Sequence, residues 1–132
     1  MANITVKGGD LARQIKQLTD ACDAEIKAAT VEAGRIASAD VVRQLKATSP
    51  RRKGAAYAKS WKVRKEGIDT FVVYNEKHYR LTHLLEKGHD IIRNGRKVGR
   101  AKAYPHIKQA EQKGIEEYVN KTIEEVNRRL GQ

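Results

Sequence analysis

From Leu11 to Leu45 the apolar residues return every three or four positions, and this periodicity constrains the fold more than any other feature of the chain. Leu11, Ile15, Leu18, Cys22, Ile26, Ala29, Ala33, Ile36 and Leu45 fall on one side of a helix. Asp10, after Gly8-Gly9, is the expected N-cap, and the helix is expected over about residues 10–47, ending before Ser49-Pro50. At ~1.5 Å per residue it spans ~55 Å, more than the rest of a small domain can cover. Either part of the stripe meets another subunit, or the helix bends near Gly34, or the stripe packs on the chain's own sheet and last helix.

The pattern changes at Tyr57. Tyr57, Trp61 and Val63 alternate with Ser60, Lys62 and Arg64, and after Glu66-Gly67 the run Ile68–Tyr74 is β-branched and aromatic, so two antiparallel strands are expected. A tryptophan alternating with polar residues in a strand usually faces the core. Residues 78–87 read as a short helix with Leu81, Leu84 and Leu85 on one face and Gly88 as its C-terminal cap. Pro105 suits the start of a last helix over about 105–130, because no helical partner there needs its missing N–H. The expected architecture is α+β, a single domain over 1–132: long N-terminal helix, small antiparallel sheet with short helix (about 55–88), basic loop (about 89–104) and C-terminal helix.

The formal net charge of +11 is unevenly distributed. Residues 48–108 hold sixteen Lys or Arg against five acids, whereas the flanking segments are nearly neutral. One positive surface is implied, suited to nucleic acid or to an acidic protein partner. Two stretches concentrate it. Arg51-Arg52-Lys53 is followed by Lys59, Lys62, Arg64 and Lys65, with Tyr57 and Trp61 as aromatics able in principle to stack on bases. Residues 89–104 carry Arg93, Arg96, Lys97, Arg100 and Lys102 against Asp90 alone, and with Gly95 and Gly99 they read as a mobile loop or an open hairpin.

Catalytic and metal constellations are not found in the sequence. His78, His83, His89 and His106 match no tight ligand spacing, and the lone Cys22 reads as a small hydrophobe in a reducing compartment. His106, in a first helical turn, is expected to satisfy nearby backbone groups. Glu86 is expected to accept backbone hydrogen bonds or to pair with Arg80, in preference to acting as a general base. Phosphate-cradling glycine loops and nucleophile elbows are missing, so no enzyme, cofactor or metal is expected. No apolar run approaches the ~18 residues of a membrane span.

The order of these pieces carries a resemblance. Tyr79, Arg80 and Leu81 lead into Leu84-Leu85-Glu86-x-Gly88-His89; Pro105-His106-Ile107 opens the last helix; and Pro50, Gly54 and Tyr57-Ala58-Lys59-Ser60-Trp61 stand upstream. Over roughly residues 50–111 the chain resembles the small neck and tail-completion proteins of long-tailed, non-contractile bacteriophages and prophages. It departs from them at Lys53, where threonine is commoner, and at Lys108-Gln109, where a proline is often seen. The resemblance implies a virion protein made in the host cytoplasm, which forms a homo-oligomeric ring at the head-proximal end of the tail. Its role there would be tail completion and head-tail joining, with other neck and tail proteins as partners and non-specific DNA contact in addition. The alternative is a small basic nucleic-acid-binding module.

Overall fold

The computed structural model describes residues 8–131 of the chain; the side chains of Asp10, Leu11 and Lys53 lie outside the described residues, and with them the expected cap, the first member of the stripe and one member of the basic cluster. Helix α1 (Gly8–Thr48) runs without interruption past Gly34. It begins two residues before the expected cap and ends, as expected, ahead of Pro50. A 3-10 turn at Lys53–Ala55 leads into the one-turn helix α2 (Ala56–Lys59). Strands β1 (Trp61–Glu66) and β2 (Thr70–Asn75) pair in antiparallel register from Trp61 opposite Asn75 to Glu66 opposite Thr70. A second 3-10 turn (Tyr79–Leu81) precedes α3 (Thr82–Lys87). Strands β3 (His89–Arg93) and β4 (Arg96–Ala101) form a second antiparallel ribbon, and α4 (Ile107–Arg129) closes the described chain.

The fold is α+β as expected, with the strands in two separate two-stranded ribbons in place of one small sheet. Tyr57 does not start β1. Gly54 (φ 76°) and Ala55 (φ 61°) turn the backbone through left-handed conformations and place Tyr57 on α2. Trp61 does face the core, at 4 % exposure, but Val63 and the rest of β1 are exposed. β2 is covered further along: Phe71, Val72, Val73 and Tyr74 are half-buried, with Phe71 against Gly34 of α1 and Val73 on the core.

α4 lies antiparallel on α1. Ala29, Ala33 and Ala37, one turn apart, are buried on α1. Such small side chains let the helices approach closely. Two glycines extend this effect. A Cβ on Gly114 would come within 2.5 Å of the Val41 side chain, and a Cβ on Gly34 would lie 2.6 Å from the Phe71 ring and 3.0 Å from Tyr118. At the far end Arg129 reaches Glu25 at 3.4 Å. The pairing thus runs from Ile107, packed with Leu45 in the core, to Arg129 beside Glu25, and residues 8–24 of α1 project beyond the end of α4. On that projection Ile15 is 56 % exposed and Leu18 68 %.

The buried centre is small: Leu45, Tyr57, Trp61 and Ala110, with Val41, Val42, Val73, Leu85 and Ile107 packed around it. Beside it a cleft of about 340 Å³ opens between α4 and the β1–β2 ribbon, with α1 as its floor. Ala37 and Val41 form the floor, Trp61 and Phe71 one wall, Ile115 and Tyr118 the other. Tyr118 spans one end, its hydroxyl donating to the Asp69 carbonyl at 3.3 Å.

Candidate functional site

A buried polar junction ties the middle of the chain to α4. Glu86, on α3, has its side chain 15 % exposed and aims its carboxylate at the start of α4. Oε1 accepts the backbone N–H groups of His106 at 2.7 Å and Ile107 at 2.8 Å, and Oε2 accepts that of Lys108 at 3.0 Å. These are amides that a helix cannot satisfy internally, and a carboxylate also suits the positive end of its dipole. Burial pushes the Glu86 carboxyl up, but the three backbone donors and then the neighbouring His106 outweigh it and hold it below the ordinary carboxylate value. Of the two partners expected for Glu86, backbone is realised; Arg80 instead lies over the Tyr79 ring.

His106 is the largest fully buried side chain, at 1 % exposure. Its Nδ1 faces only acceptors, the Tyr104 carbonyl at 2.6 Å and Glu86 Oε1 at 3.1 Å, so Nδ1 carries the hydrogen. Nε2 then accepts from the Tyr57 hydroxyl at 2.8 Å. Burial, with the Glu86 charge added, pushes the Tyr57 hydroxyl up to about 12, so it remains a donor across the neutral range. Trp61 packs edge-on to both rings and donates its indole N–H to Ser49 Oγ at 2.7 Å, and Ser49 in turn donates to the Leu45 carbonyl. Asn75 completes the junction, donating to the Tyr57 carbonyl at 3.0 Å and accepting the His78 amide at 2.9 Å. His106 was expected to satisfy nearby backbone groups, and its ring bonds the Tyr104 carbonyl.

Gly88 connects this junction to the second ribbon. Its φ of 74° and ψ of 175° lie where only glycine is at ease, and a Cβ there would come within 2.6 Å of the Ala101 carbonyl oxygen. The C-terminal cap is thus glycine as expected, with a more extended turn than the usual left-handed one. Of the three leucines, Leu85 packs on the core, Leu84 is half-buried and Leu81 is exposed. The shared leucine face is not formed, because Leu81 belongs to the 3-10 turn, whose tighter winding rotates it away.

The segment expected to be a mobile loop or an open hairpin is a hairpin over 89–101, followed by irregular chain to His106. Asn94 (φ 50°) and Gly95 (φ 74°) make the two-residue turn. An Asn-Gly pair is a strong hairpin signal, which the sequence reading, resting on Gly95 and Gly99 alone, did not use. Between Ile91 and Ile92 the register slips, leaving Val98 as an extra residue on β4. Few contacts join this ribbon to other elements beyond its stem, where the Tyr104 amide donates to the Leu85 carbonyl and Arg100 to the Lys87 carbonyl.

Arg93, Arg96, Lys97, Arg100 and Lys102 are all exposed. Asp90 takes up Arg100 at 3.0 Å and Lys97 at 3.3 Å. The second basic stretch is spread over other elements: Arg51 folds back onto the Lys46 carbonyl, Arg52 is exposed, Lys62 pairs with Glu76 and Arg64 with Glu66. Among the described residues, no three His, Cys, Asp or Glu side chains gather as a metal site, and no helix is long and apolar enough to cross a membrane.

The arrangement is that of a small α+β protein in which a buried polar junction ties α3 to α4 and an exposed basic ribbon extends from it. The chain belongs to the phage tail-component family described as "Bacteriophage HK97-gp10, putative tail-component", whose model matches residues 9–88. The match takes in α1, which the sequence resemblance covered only in kind, and stops before Pro105-His106-Ile107. Neither a curated protein nor a solved structure matches the chain.

Proposed function

We propose that this tail component is a ring subunit of the neck or head-proximal tail end, acting in tail completion and head-tail joining without chemistry of its own. The observation that carries this reading is the β3–β4 ribbon: an antiparallel hairpin anchored at Gly88 and bearing four exposed Lys or Arg within β3 and β4 and one just beyond. Through it, and through Arg51, Arg52 and Lys53, the subunit docks on acidic surfaces of neighbouring neck and tail proteins. Tyr79, Leu81, Leu84, Leu85, Glu86, Gly88, Pro105, His106 and Ile107 hold the ribbon in place or line its approach. Replacing Arg96, Lys97 and Arg100 together by alanine tests the reading in phage particles. Full heads beside separate tails, from a protein whose melting curve is unchanged, are expected; normal virions would refute it.

A second reading rests on the charge of residues 48–108, sixteen basic against five acidic side chains. On this reading the same ribbon touches the DNA backbone without base readout. Gel-shift titration distinguishes the two: submicromolar, steeply salt-dependent binding at physiological salt favours the nucleic-acid module.

A further inference from the structure

Each strand of the two described ribbons has one outer edge, and on three of the strands that edge carries features that discourage pairing. β1 has Lys62, Arg64, Lys65 and Glu66; β3 has Asp90 and Arg93; β4 has Arg96, Lys97, Arg100 and the bulge at Val98. β2 (Thr70–Asn75) has no charge, glycine, proline or bulge. The Glu76 N–H donates to the Ser60 carbonyl, one step beyond the pair Trp61–Asn75, so Thr70, Val72 and Tyr74 bond to β1 while Phe71 and Val73 turn their N–H and C=O outward. Among the described residues no other element bonds to those outward groups. The cleft lies along this edge, because Phe71 and Val73 wall it whereas β1 contributes only its first residue, Trp61. An open edge beside an apolar trough suits a strand with one apolar face. The exposed stripes of α1 (Ile15, Leu18) and α4 (Ile115, Val119, Ile123) are helical, and a helix seated there leaves the edge unpaired.

Residues 3–7, ahead of α1 and outside the described residues, read Asn3-Ile4-Thr5-Val6-Lys7. The three central residues are β-branched, and Ile4 and Val6 alternate with polar neighbours, the pattern of a strand with one apolar face. We infer that residues 3–7 of one copy add as a third strand to β2 of a second copy, with Ile4 and Val6 turned into the cleft. The segment cannot reach its own cleft. From Gly8 to Gly34, beside which Phe71 lies, α1 advances ~39 Å at ~1.5 Å per residue, whereas Ile4 extends at most ~14 Å from Gly8 at ~3.4 Å per residue. The projecting part of α1 is thereby an arm that carries the segment beyond the end of α4 to a neighbour. Donor and acceptor are different surfaces, so the contact is head-to-tail, and its repetition closes a ring or extends a filament. This contact rests on the ring-subunit reading and supplies the joint that builds the ring.

The test uses the full-length chain. Sedimentation across a concentration series should show wild-type protein associating beyond dimer, and Ile4→Asp combined with Val6→Asp should weaken association at least tenfold with unchanged circular dichroism. A synthetic peptide of residues 2–7, added to that double variant at millimolar concentration, should shift the emission of Trp61, the single tryptophan and a wall of the cleft. Ile115→Lys, at the opposite wall, should abolish the shift. In a Cys22→Ser background, Thr5→Cys and Val72→Cys together should be joined by a short bismaleimide into a ladder of linked chains. Thr5→Cys alone linking as dimers would place segment against segment and overturn the inference. Association undiminished by the two aspartates, with no response to the peptide, would leave the ring reading standing and overturn this contact. A wild-type chain that is monomeric at every concentration, with neither peptide response nor ladder in the variants, would remove both.

Discussion

The carboxylate of Glu86 accepts the backbone N–H of Ile107 at 2.8 Å, across twenty-one positions of sequence. The bond makes the short α3 the cap of α4, whose own N-cap residue, His106, makes no side-chain capping bond. Removing it should therefore be felt in α4. Glu86→Ala is expected to cost on the order of 2 kcal/mol, the upper end for an N-cap, since three amides lose their acceptor in a partly closed site. Urea unfolding followed by circular dichroism measures it, and loss below about 0.5 kcal/mol would show that water replaces the carboxylate.

The same carboxylate gives stability a sign with pH. Its folded value lies below its ordinary 4.5, so the folded state binds fewer protons than the unfolded state as pH falls past that point. The stabilisation is complete above pH 4.5 and is lost as pH falls through the lowered value. Wild type and Glu86→Gln should therefore differ in stability at neutral pH and converge on acidification. A constant gap between their melting temperatures down the acid range would contradict this.

Tyr57 works in the opposite direction. Burial raises its hydroxyl from 10.0 to about 12, so the stabilisation is present below pH 10.0 and is lost as pH rises towards 12. Tyr57→Phe should flatten the alkaline limb of stability against pH, at a cost at neutral pH of about 1 kcal/mol for the bond to His106. Thermal melts from pH 8 upward decide the point.

Gly114 and Val41 form a notch and its filling. Gly114→Ala should destabilise by about 1–3 kcal/mol, because the new methyl meets the Val41 side chain. Adding Val41→Ala should recover part of that loss, a coupling that a double-mutant cycle reads directly. Additive losses would mean that the helices separate instead of repacking.

On α3 the apolar side should outweigh the histidine. Leu85→Ala removes a side chain packed on the core and should cost about 2 kcal/mol, whereas His83→Gln, at an exposed position, should stay within about 0.5 kcal/mol. Thermal melts of both, with and without zinc, check the assignment: a damaging histidine change and a zinc-raised melting temperature would reverse it.

The helices and the β1–β2 strands were legible because their signals are local. Periodicity alone located α1 to within a few residues, and the β-branched run located β2. Tyr57 was placed on a strand because nothing in the sequence marks a left-handed Ala55, whose conformation is imposed by the turn around it. Leu81 was placed on a helical face that a 3-10 turn removes. The role of Glu86 was half legible: a backbone partner was expected, but the donors lie twenty residues away, and only the fold brings them there. Basic residues were easy to find and are indeed exposed, yet no pattern in one sequence distinguishes those that meet a partner.

The stems of the β3–β4 ribbon meet at one place, where Gly88 faces the Ala101 carbonyl. Whatever lies between them is therefore free to change in length without displacing α3 or α4. Adding two residues to each strand would move the tip outward by ~7 Å and keep the faces as they are; adding one to each would exchange them. Insertions made at the Asn94-Gly95 tip should accordingly be tolerated at little expense to the rest of the protein.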